Sequence, residues 1–481
     1  MIKLTAAAIA VLMLAGCAGN QNNGDTEDTT PQANGDVVAP GYNYDDDEYQ
    51  LPYNWQTDAG FRETPMNLGG RVIRVATGQI QHFTYHADGL DHTPNETLNI
   101  MARLRDIQDE YNMTFEFSAI GPGGAVIDSV ILSRLVGDAS YDIINMGTNH
   151  TALDGIFTRN IVMDMKHPSI ANIIDLENNP WLPETRMTYM FGRQHGVHFL
   201  VANSGQLLRT TLTFNREHAE TLDLPNLYDM VWNKEWNHSN FSNIINLISQ
   251  NSDQTIRPLV AERESQIGPG FVMASGGLVT ESTSEGKRFV AHIDNHTLHA
   301  VTFLANMVAN NQLFIDLDNA INWMAQGQAM FIAGDYENLR RFTRQEPRTD
   351  FTFGLLPMPM GDHMSDFVVS THSSDQFYIV QDVPNPHEVA AILVAMANRT
   401  SKINIIYTEL NYGVQDEDSA RMLEFMLERV VVDYSRLSSA RNRIGQDAMT
   451  PILNGQLAPR QAFEMIYPIV QSNYDSLLAQ Q

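Results

Sequence analysis

The chain has 481 residues, of which 43% are hydrophobic and 18% are charged, and its formal net charge is −27. Enough apolar side chain is present to bury a large core, which excludes a disordered or collagen-like chain. The acidic balance argues against nucleic-acid binding through the general surface, because such binding depends on Lys and Arg that neutralise phosphates. A prior of about 150 residues per domain predicts two or three structural units.

The first residues predict export. Lys3 precedes an apolar run at positions 4–15. The run is shorter than the ~20 residues that span a bilayer and has the length of a signal-peptide core. Residues 14–17 read LAGC, which resembles a bacterial lipobox, so residues 1–16 are predicted to be a lipoprotein signal peptide. Cys17 is the only cysteine of the chain and has no disulfide to make, and we expect it to carry lipid. An ordinary signal peptide ending near a cysteine is the alternative.

Residues 17–67 are predicted to form the lipidated cysteine and a flexible acidic tether. Positions 18–50 are polar, acidic and poor in aliphatic side chains, so burial cannot offset the entropy of ordering them. The acidic run at 45–48 lacks the spaced ligands and central glycine of a calcium loop, and we interpret it as solvated charge.

Strand and helix patterns alternate in the chain that follows. Strand-like segments lie at 71–76, 113–117 and 141–146, and helical periodicity covers 95–112 and 125–135. This β-α-β-α-β order predicts a parallel sheet covered by helices.

The loops after the first and third strands are predicted to lie at the functional edge, because ligands bind beyond the carboxyl ends of parallel strands. Gln79 and His82 follow the first strand, and Asn149 and His150 follow the third.

Seven short motifs occur in the order typical of one protein family. They are NLGGRVIR at 67–74, YDII at 141–144, TFNR at 213–216, LDLP at 222–225 with Trp236, ASGG at 274–277 with GK at 286–287, GQAMFIAG at 327–334 and FGLLPMP at 353–359. From residue 68 to the C-terminus the chain resembles the extracellular solute-binding proteins of ABC transporters, in the sugar-binding family that includes maltose-binding protein. Each motif is weak alone, and their common order carries the resemblance.

The resemblance implies an α/β, two-lobed periplasmic-binding-protein-like fold of type II. Each lobe would be a mostly parallel sheet flanked by helices, hinged at a central cleft. Lobe one would comprise residues 68–205 and 375–412, and lobe two residues 206–374 and 413–481. Closure of the lobes would bring both walls of the cleft onto a ligand.

The resemblance also implies ligand-binding residues. Sugars offer hydroxyls at their edges and C–H groups on their faces, so their sites combine aromatic rings with amides and carboxylates. Tyr336 occupies the place of a stacking tryptophan, and its smaller ring departs from the family pattern for long malto-oligosaccharides. The other predicted contacts are Gln79, Asn149, His150, Arg209 and Glu264, whereas Trp236 is expected to be core.

Two other function classes stay open at this stage. His82, His86 and His92 could ligate a metal in a metal-binding receptor, although their spacing is loose. A secreted carbohydrate-active hydrolase needs only two carboxylates beside a glycosidic bond, which an acidic chain could supply. The sequence contains neither a G-x-S-x-G nor an H-E-x-x-H motif.

The sequence therefore predicts a receptor without catalytic activity, resident metal or other cofactor, and without nucleic-acid binding. We expect a monomer, lipid-anchored on the extracytoplasmic face of a bacterial cell membrane, that captures a carbohydrate. It would present the sugar to the transmembrane subunits of an ABC permease.

Overall fold

The computed structural model describes residues 60–78, 94–121, 123–137, 140–147, 153–181, 183–199, 208, 210–251, 255–282, 289–291, 293–334, 351–371, 375–400, 416–432 and 443–480. The described strands are β1 Arg71–Thr77, β2 Met113–Ala119, β3 Ile143–Gly147, β4 Tyr189–Met190, β5 Arg193–Gln194, β6 Thr211–Asn215, β7 Arg257–Ala261, β8 Thr280–Ser282, β9 Phe289–Ala291, β10 Leu313–Ile315, β11 Ala329–Gly334, β12 Phe353–Pro357, β13 Val369–Thr371, β14 Asp375–Ile379 and β15 Val430–Val432.

The described α-helices are α1 Pro94–Tyr111, α2 Gly123–Leu135, α3 Leu153–Thr158, α4 Ala171–Ile174, α5 Arg216–Thr221, α6 Leu227–Trp232, α7 His238–Asn251, α8 Glu264–Ala274, α9 Asn295–Ala309, α10 Ala320–Ala325, α11 Pro386–Thr400, α12 Glu417–Leu427, α13 Thr450–Leu453 and α14 Pro459–Ala479. A 3-10 helix spans Pro183–Thr188 and a π-helix spans Arg443–Met449.

The first sheet has four strands in the order β14-β3-β1-β2. The strands β2, β1 and β3 are parallel, and β14 is antiparallel to β3 with Asp375 opposite Gly147. Ile73 and Val75 of β1 are fully buried, as expected for β-branched residues of a central strand covered on both faces. The three strands predicted from residue 71 onward are confirmed, as are the two helices between them.

The second sheet has five strands in the order β10-β7-β11-β6-β12. The strands β7, β10 and β11 are parallel, and β6 runs antiparallel between β11 and β12. All five residues of β6 and of β12 are buried, so this sheet too is covered on both faces. Its core includes Trp236, Phe241 and Phe331.

A separate two-stranded ribbon is formed by β13 and β15. Val369–Thr371 pairs in parallel with Val430–Val432, and the chain next enters the first sheet at Asp375. The Thr210 hydroxyl contacts the Ser370 hydroxyl at 2.6 Å, one residue before β6 begins. The starts of β6 and β14 are therefore tied to the same two-stranded ribbon.

The C-terminal helix α14 packs on elements near both sheets. One hydrophobic cluster contains Ile144 of β3, Val301 of α9 and Phe463 of α14. The helix is 21 residues long and contains Pro468. Among the described helices, none has both the length and the apolar character needed to cross a membrane.

The start of the described chain is held against helices α1 and α11. Phe61 is 6% exposed, and the Glu63 carboxylate accepts hydrogen bonds from Arg399 (Nη2–Oε2, 2.9 Å), Asn398 and the Tyr111 hydroxyl. Burial raises the pKa of Glu63, but the hydrogen bonds from Arg399 and Asn398 outweigh it and lower the pKa overall. This buried network anchors residues 61–63 to α11 and α1.

Candidate functional site

A buried polar ladder lies at the carboxyl edge of the first sheet. The Thr77 hydroxyl donates to Asn145 Oδ1 at 3.0 Å, and Asn145 Nδ2 approaches the Gln376 carbonyl at 3.4 Å. On the next segment, Gln194 Nε2 donates to the Thr188 hydroxyl at 2.9 Å. Hydrogen bonding makes these polar groups tolerable in the interior, so we assign them to fixing the strand ends.

The first-sheet candidates follow these strand ends. Gln79 comes two residues after Thr77, and Asn149 and His150 follow Gly147. All three lie outside the described residues, as do His82, His86 and His92 of the metal hypothesis. The described ends of β1 and β3 are neighbours, with Thr77 paired to Asn145. Their carboxyl ends therefore lie at one edge, as the sequence predicted.

Of the second-sheet candidates, only one lies among the described residues. Arg209 and Tyr336 lie outside the described residues, and so does the lipidation candidate Cys17. Tyr336 comes two residues after Gly334, which ends β11. Glu264 is the one predicted ligand residue that the described part of the chain contains.

Glu264 begins helix α8, just beyond the carboxyl end of β7. Its side chain is partly exposed, whereas every residue from Ile267 to Ala274 is buried. The helix contacts β7, β11, β13, α9 and the π-helix, so it lies across the edge of the sheet. An acidic side chain in a first helical turn is favoured by the helix dipole. Glu264 is thus placed at a rigid edge with its carboxylate accessible.

Three glycines allow the close packing of α8. A Cβ on Gly270 would lie 2.7 Å from Thr210 Cγ2, and one on Gly268 would lie 2.9 Å from Met449 Sδ. On the other side of the contact, a Cβ on Gly445 would lie 3.0 Å from Ser265 Cβ. Helix α8 is therefore wedged between the start of β6 and the π-helix.

The π-helix beside α8 is a feature that sequence reasoning missed. Its Ile444, Ala448 and Met449 are buried, while Arg443 and Gln446 are exposed, and Arg443 Nη1 pairs with Asp447 Oδ2 at 2.8 Å. Because π-helical turns occur frequently at functional sites and Gly445 of this turn lies against Ser265, we add Arg443 and Gln446 to the candidate residues. No pattern in the sequence distinguishes a π-helix from an α-helix, so no signal could have found it.

Gln266 is a second residue that sequence reasoning missed. Its side-chain oxygen is buried and has no hydrogen-bond partner among the described residues. It lies two residues after Glu264 in the same first turn of α8. A buried amide oxygen costs free energy unless a donor reaches it, which makes Gln266 a candidate acceptor for a ligand hydroxyl.

Trp236 is core, as predicted. It is fully buried, and its Nε1 donates to the Pro357 carbonyl at 2.9 Å. Its ring contacts Phe241 at a centroid distance of 5.2 Å and Phe331 at 6.0 Å.

No group of three or more metal-ligating side chains occurs within the described ranges. Three of the histidines described there are deeply buried, namely His195, His198 and His238. Burial lowers the pKa of His195 to about 3 and the pKa values of His198 and His238 to about 4. These side chains are therefore neutral around pH 7.

The fold is that of the substrate-binding proteins of ABC transporters. The ABC substrate-binding protein Lmo0181 from Listeria monocytogenes, solved with cycloalternan, aligns with a TM-score of 0.53 at 12% identity over 84% of this chain and 99% of its own. The cyclic alpha-maltosyl-1,6-maltose binding protein from Arthrobacter globiformis aligns with a TM-score of 0.57 at 10% identity over 86% and 100%.

A third similar structure binds a different type of molecule. UgpB from Mycobacterium tuberculosis, solved with glycerophosphocholine, aligns with a TM-score of 0.57 at 16% identity over 86% of this chain and 100% of its own. No protein-family model matches the chain, and neither does any curated protein. The predicted two-lobed type II fold is confirmed, and with it the predicted resemblance at the level of fold.

Proposed function

We propose that the protein is the solute-binding receptor of an ABC importer and that it captures a carbohydrate in the cleft between its two lobes. The observation that carries this proposal is the fold, which it shares with receptors solved with cycloalternan and maltose. Such a receptor binds and releases its ligand and needs no catalytic group. The receptor delivers the sugar to the permease subunits, and closure is driven by contacts that both lobes make with the ligand.

Within that site we assign Glu264 and Tyr336 to the second-lobe wall, and Gln79, Asn149 and His150 to the first-lobe wall. Arg209 is assigned to the approach of the first crossing between the lobes. The position of Glu264 in the first turn of α8 supports its part of this assignment. A carboxylate can accept hydrogen bonds from two sugar hydroxyls at once. We also propose that the chain passes from one lobe to the other near residues 205, 374 and 412.

Glycerophosphodiesters are the alternative ligand class, because one structure of the same fold holds glycerophosphocholine. The two ligand classes differ in charge. A sugar needs only hydrogen-bond partners for its hydroxyls, whereas a phosphodiester needs donors or cations for its phosphate. A phosphodiester is disfavoured beside a carboxylate such as Glu264, which has no ion-pair partner among the described residues.

A thermal-shift screen of the chain from residue 18 onward tests the proposal. The ligands are oligosaccharides, glycerophosphocholine, peptides, and Zn²⁺ or Mn²⁺. A ligand at 100 times its dissociation constant stabilises the folded state by about 2.7 kcal/mol. Stabilisation by a sugar alone, unchanged by chelator, supports the proposal. A shift with a metal alone or glycerophosphocholine alone contradicts it, and cleavage of the sugar during incubation would establish a hydrolase.

Glu264→Ala tests the site with Glu220→Ala as its matched control, since Glu220 is an exposed carboxylate on α5. A hydrogen bond to a charged group contributes about 1.5–3 kcal/mol, so the sugar affinity of Glu264→Ala should fall at least about tenfold by calorimetry. Tyr336→Ala should weaken binding by a similar factor through the lost ring contact. Equal affinities for Glu264→Ala and Glu220→Ala would remove Glu264 from the site.

We further propose that the mature protein begins at a lipidated Cys17 and resides as a monomer on the extracytoplasmic face of the membrane. Stable anchoring requires more than one acyl chain, because a single chain binds only marginally. Mass spectrometry of the native N-terminus should show a diacylglyceryl cysteine at residue 17, and Cys17→Ser should abolish cleavage or membrane retention. An unmodified N-terminus at another residue would contradict the anchor.

A further inference from the structure

A groove of about 910 Å³ lies along the segment 165–194. One wall comes from residues 165–194 and the other from Glu428 and Val430, where α12 passes into β15. Trp181 and Tyr189 supply aromatic surface, and the Lys166 ammonium lies 4.5 Å from the centre of the Tyr189 ring. The groove therefore combines partly exposed aromatic rings with polar groups, and aromatic side chains are enriched where proteins bind one another.

The described chain begins at the rim of this groove. The Phe61 ring meets the edge of Trp181 at a centroid distance of 4.6 Å, and the Arg62 guanidinium lies 3.6 Å from Asp175. Trp181 and Asp175 both line the groove. The Arg62 amide also donates to Asn179 Oδ1 at 2.9 Å. These contacts hold Phe61 and Arg62 at the rim of the groove.

The residues just before this point have an unusual composition for a tether. Positions 51–55 read LPYNW, whereas positions 18–50 are mostly polar and acidic. Tyr53 and Trp55 carry large apolar rings with a polar tip, which favours half-buried positions. Trp55 is five residues from Gly60, a reach of roughly 17 Å when extended, which is long enough to enter the groove.

We propose that residues 51–55 of this same chain occupy the groove, with Trp55 against the Trp181–Tyr189 wall. Attachment at the rim gives the segment an effective concentration in the millimolar range, far above that of a free peptide. The segment would shield the two aromatic rings from water. The tether that the sequence predicts over residues 17–67 would then end near residue 50.

Site-specific photo-crosslinking tests this placement. A benzophenone amino acid replaces Trp55 in the chain from residue 18 onward, and mass spectrometry maps the products after irradiation. Asn172, an exposed groove residue of α4, is changed to Trp in one variant to fill the groove. Ser476→Trp on the exposed surface of α14 is the matched control.

We expect intramolecular cross-links to residues 165–194 or 428–430, reduced at least about fivefold by Asn172→Trp and unchanged by Ser476→Trp. Amides 51–58 should also exchange hydrogen at least about tenfold more slowly than in a free peptide of the same sequence. Cross-links to a second copy, to another face of the chain, or with no response to Asn172→Trp would overturn the proposal. Peptide-like exchange rates, or a small solute whose binding Asn172→Trp abolishes, would do the same.

Discussion

At the scale of the single residue, Trp236 and Trp232 form a matched pair beside the second sheet. Trp236 is fully buried and donates to the Pro357 carbonyl, whereas Trp232 is 43% exposed and packs edge-on against Phe425 at 5.1 Å. Removing a buried aromatic side chain loses its transfer free energy and leaves a cavity. The same truncation at a half-exposed site loses much less.

We predict that Trp236→Ala lowers the free energy of unfolding by about 3–5 kcal/mol, measured by urea denaturation. Trp232→Ala should cost about 1 kcal/mol or less. Sugar affinity, measured on folded protein, should be little changed in either variant. A loss of binding in Trp236→Ala without a loss of stability would move this residue from the core into the ligand site.

Sequence reasoning succeeded for Trp236 and missed Gln266 for a physical reason. Trp236 was expected to be core because a residue at this place before a helix is structural in the family that the chain resembles. Gln266 is a candidate because its side-chain oxygen is buried and has no hydrogen-bond partner among the described residues. That burial depends on how α8 packs against distant parts of the chain, which the local sequence does not show. Glu264 was predicted only in part. The resemblance indicated that it contacts the ligand, whereas only the structure shows that its carboxylate is accessible.

At the scale of the element, helix α8 depends on glycine for its position across the sheet edge. A methyl group on Gly270 would meet Thr210 Cγ2 at 2.7 Å and Cβ at 2.8 Å, and Thr210 is held by its hydrogen bond to Ser370. Gly124 in α2 provides the contrast, because a Cβ there would meet nothing within 4 Å.

We predict that Gly270→Ala destabilises the protein by about 1–3 kcal/mol through overpacking. Gly124→Ala should instead stabilise it by about 0.4–1 kcal/mol, because alanine reduces the entropy of the unfolded chain. Thermal unfolding followed by circular dichroism measures both. Because α8 also carries Glu264, Gly270→Ala should weaken sugar binding while Gly124→Ala leaves it unchanged. The same sign of stability change in both variants would refute the close contact.

The elements that the sequence predicted best were those with a strong local pattern. The β1-α1-β2-α2-β3 series has a clear alternation of periods, and its bounds agree with the structure within two residues. The β13–β15 ribbon pairs three-residue strands from distant parts of the chain. Such short strands have no periodicity of their own, so only tertiary pairing shows them.

At the scale of the whole molecule, motif order predicted the type II architecture, because each motif marks one strand or helix of a shared sequence of elements. The antiparallel placement of β6 between β11 and β12 did not follow from any of these motifs. It depends on where the chain enters the second sheet, next to the Thr210–Ser370 contact. Local patterns set the identity of the elements, and their long-range pairing sets the order within each sheet.

Three buried histidines make the stability of the whole molecule depend on pH. Burial is the main cause that lowers the pKa of His195 to about 3 and those of His198 and His238 to about 4. In the unfolded chain the histidine pKa is about 6.5. Between these values the unfolded state binds protons that the folded state does not, so stability is complete above pH 6.5 and is lost as the pH falls towards 4.

Each of these histidines should therefore lower the free energy of unfolding by up to about 1.4 kcal/mol for each unit by which the pH falls between 6.5 and 4.

The variant His198→Asn isolates the contribution of one histidine. An asparagine amide can still donate to the Asp375 carbonyl, which His198 Nδ1 contacts at 2.6 Å, but it does not titrate. Urea denaturation from pH 7.5 to 4.5 should give a slope about 1.4 kcal/mol per unit shallower in His198→Asn than in the parent. Carboxylates add to the slope of both proteins below about pH 5, so the difference between the two curves is the quantity that tests the prediction. Parallel curves would show that folding does not lower the pKa of His198.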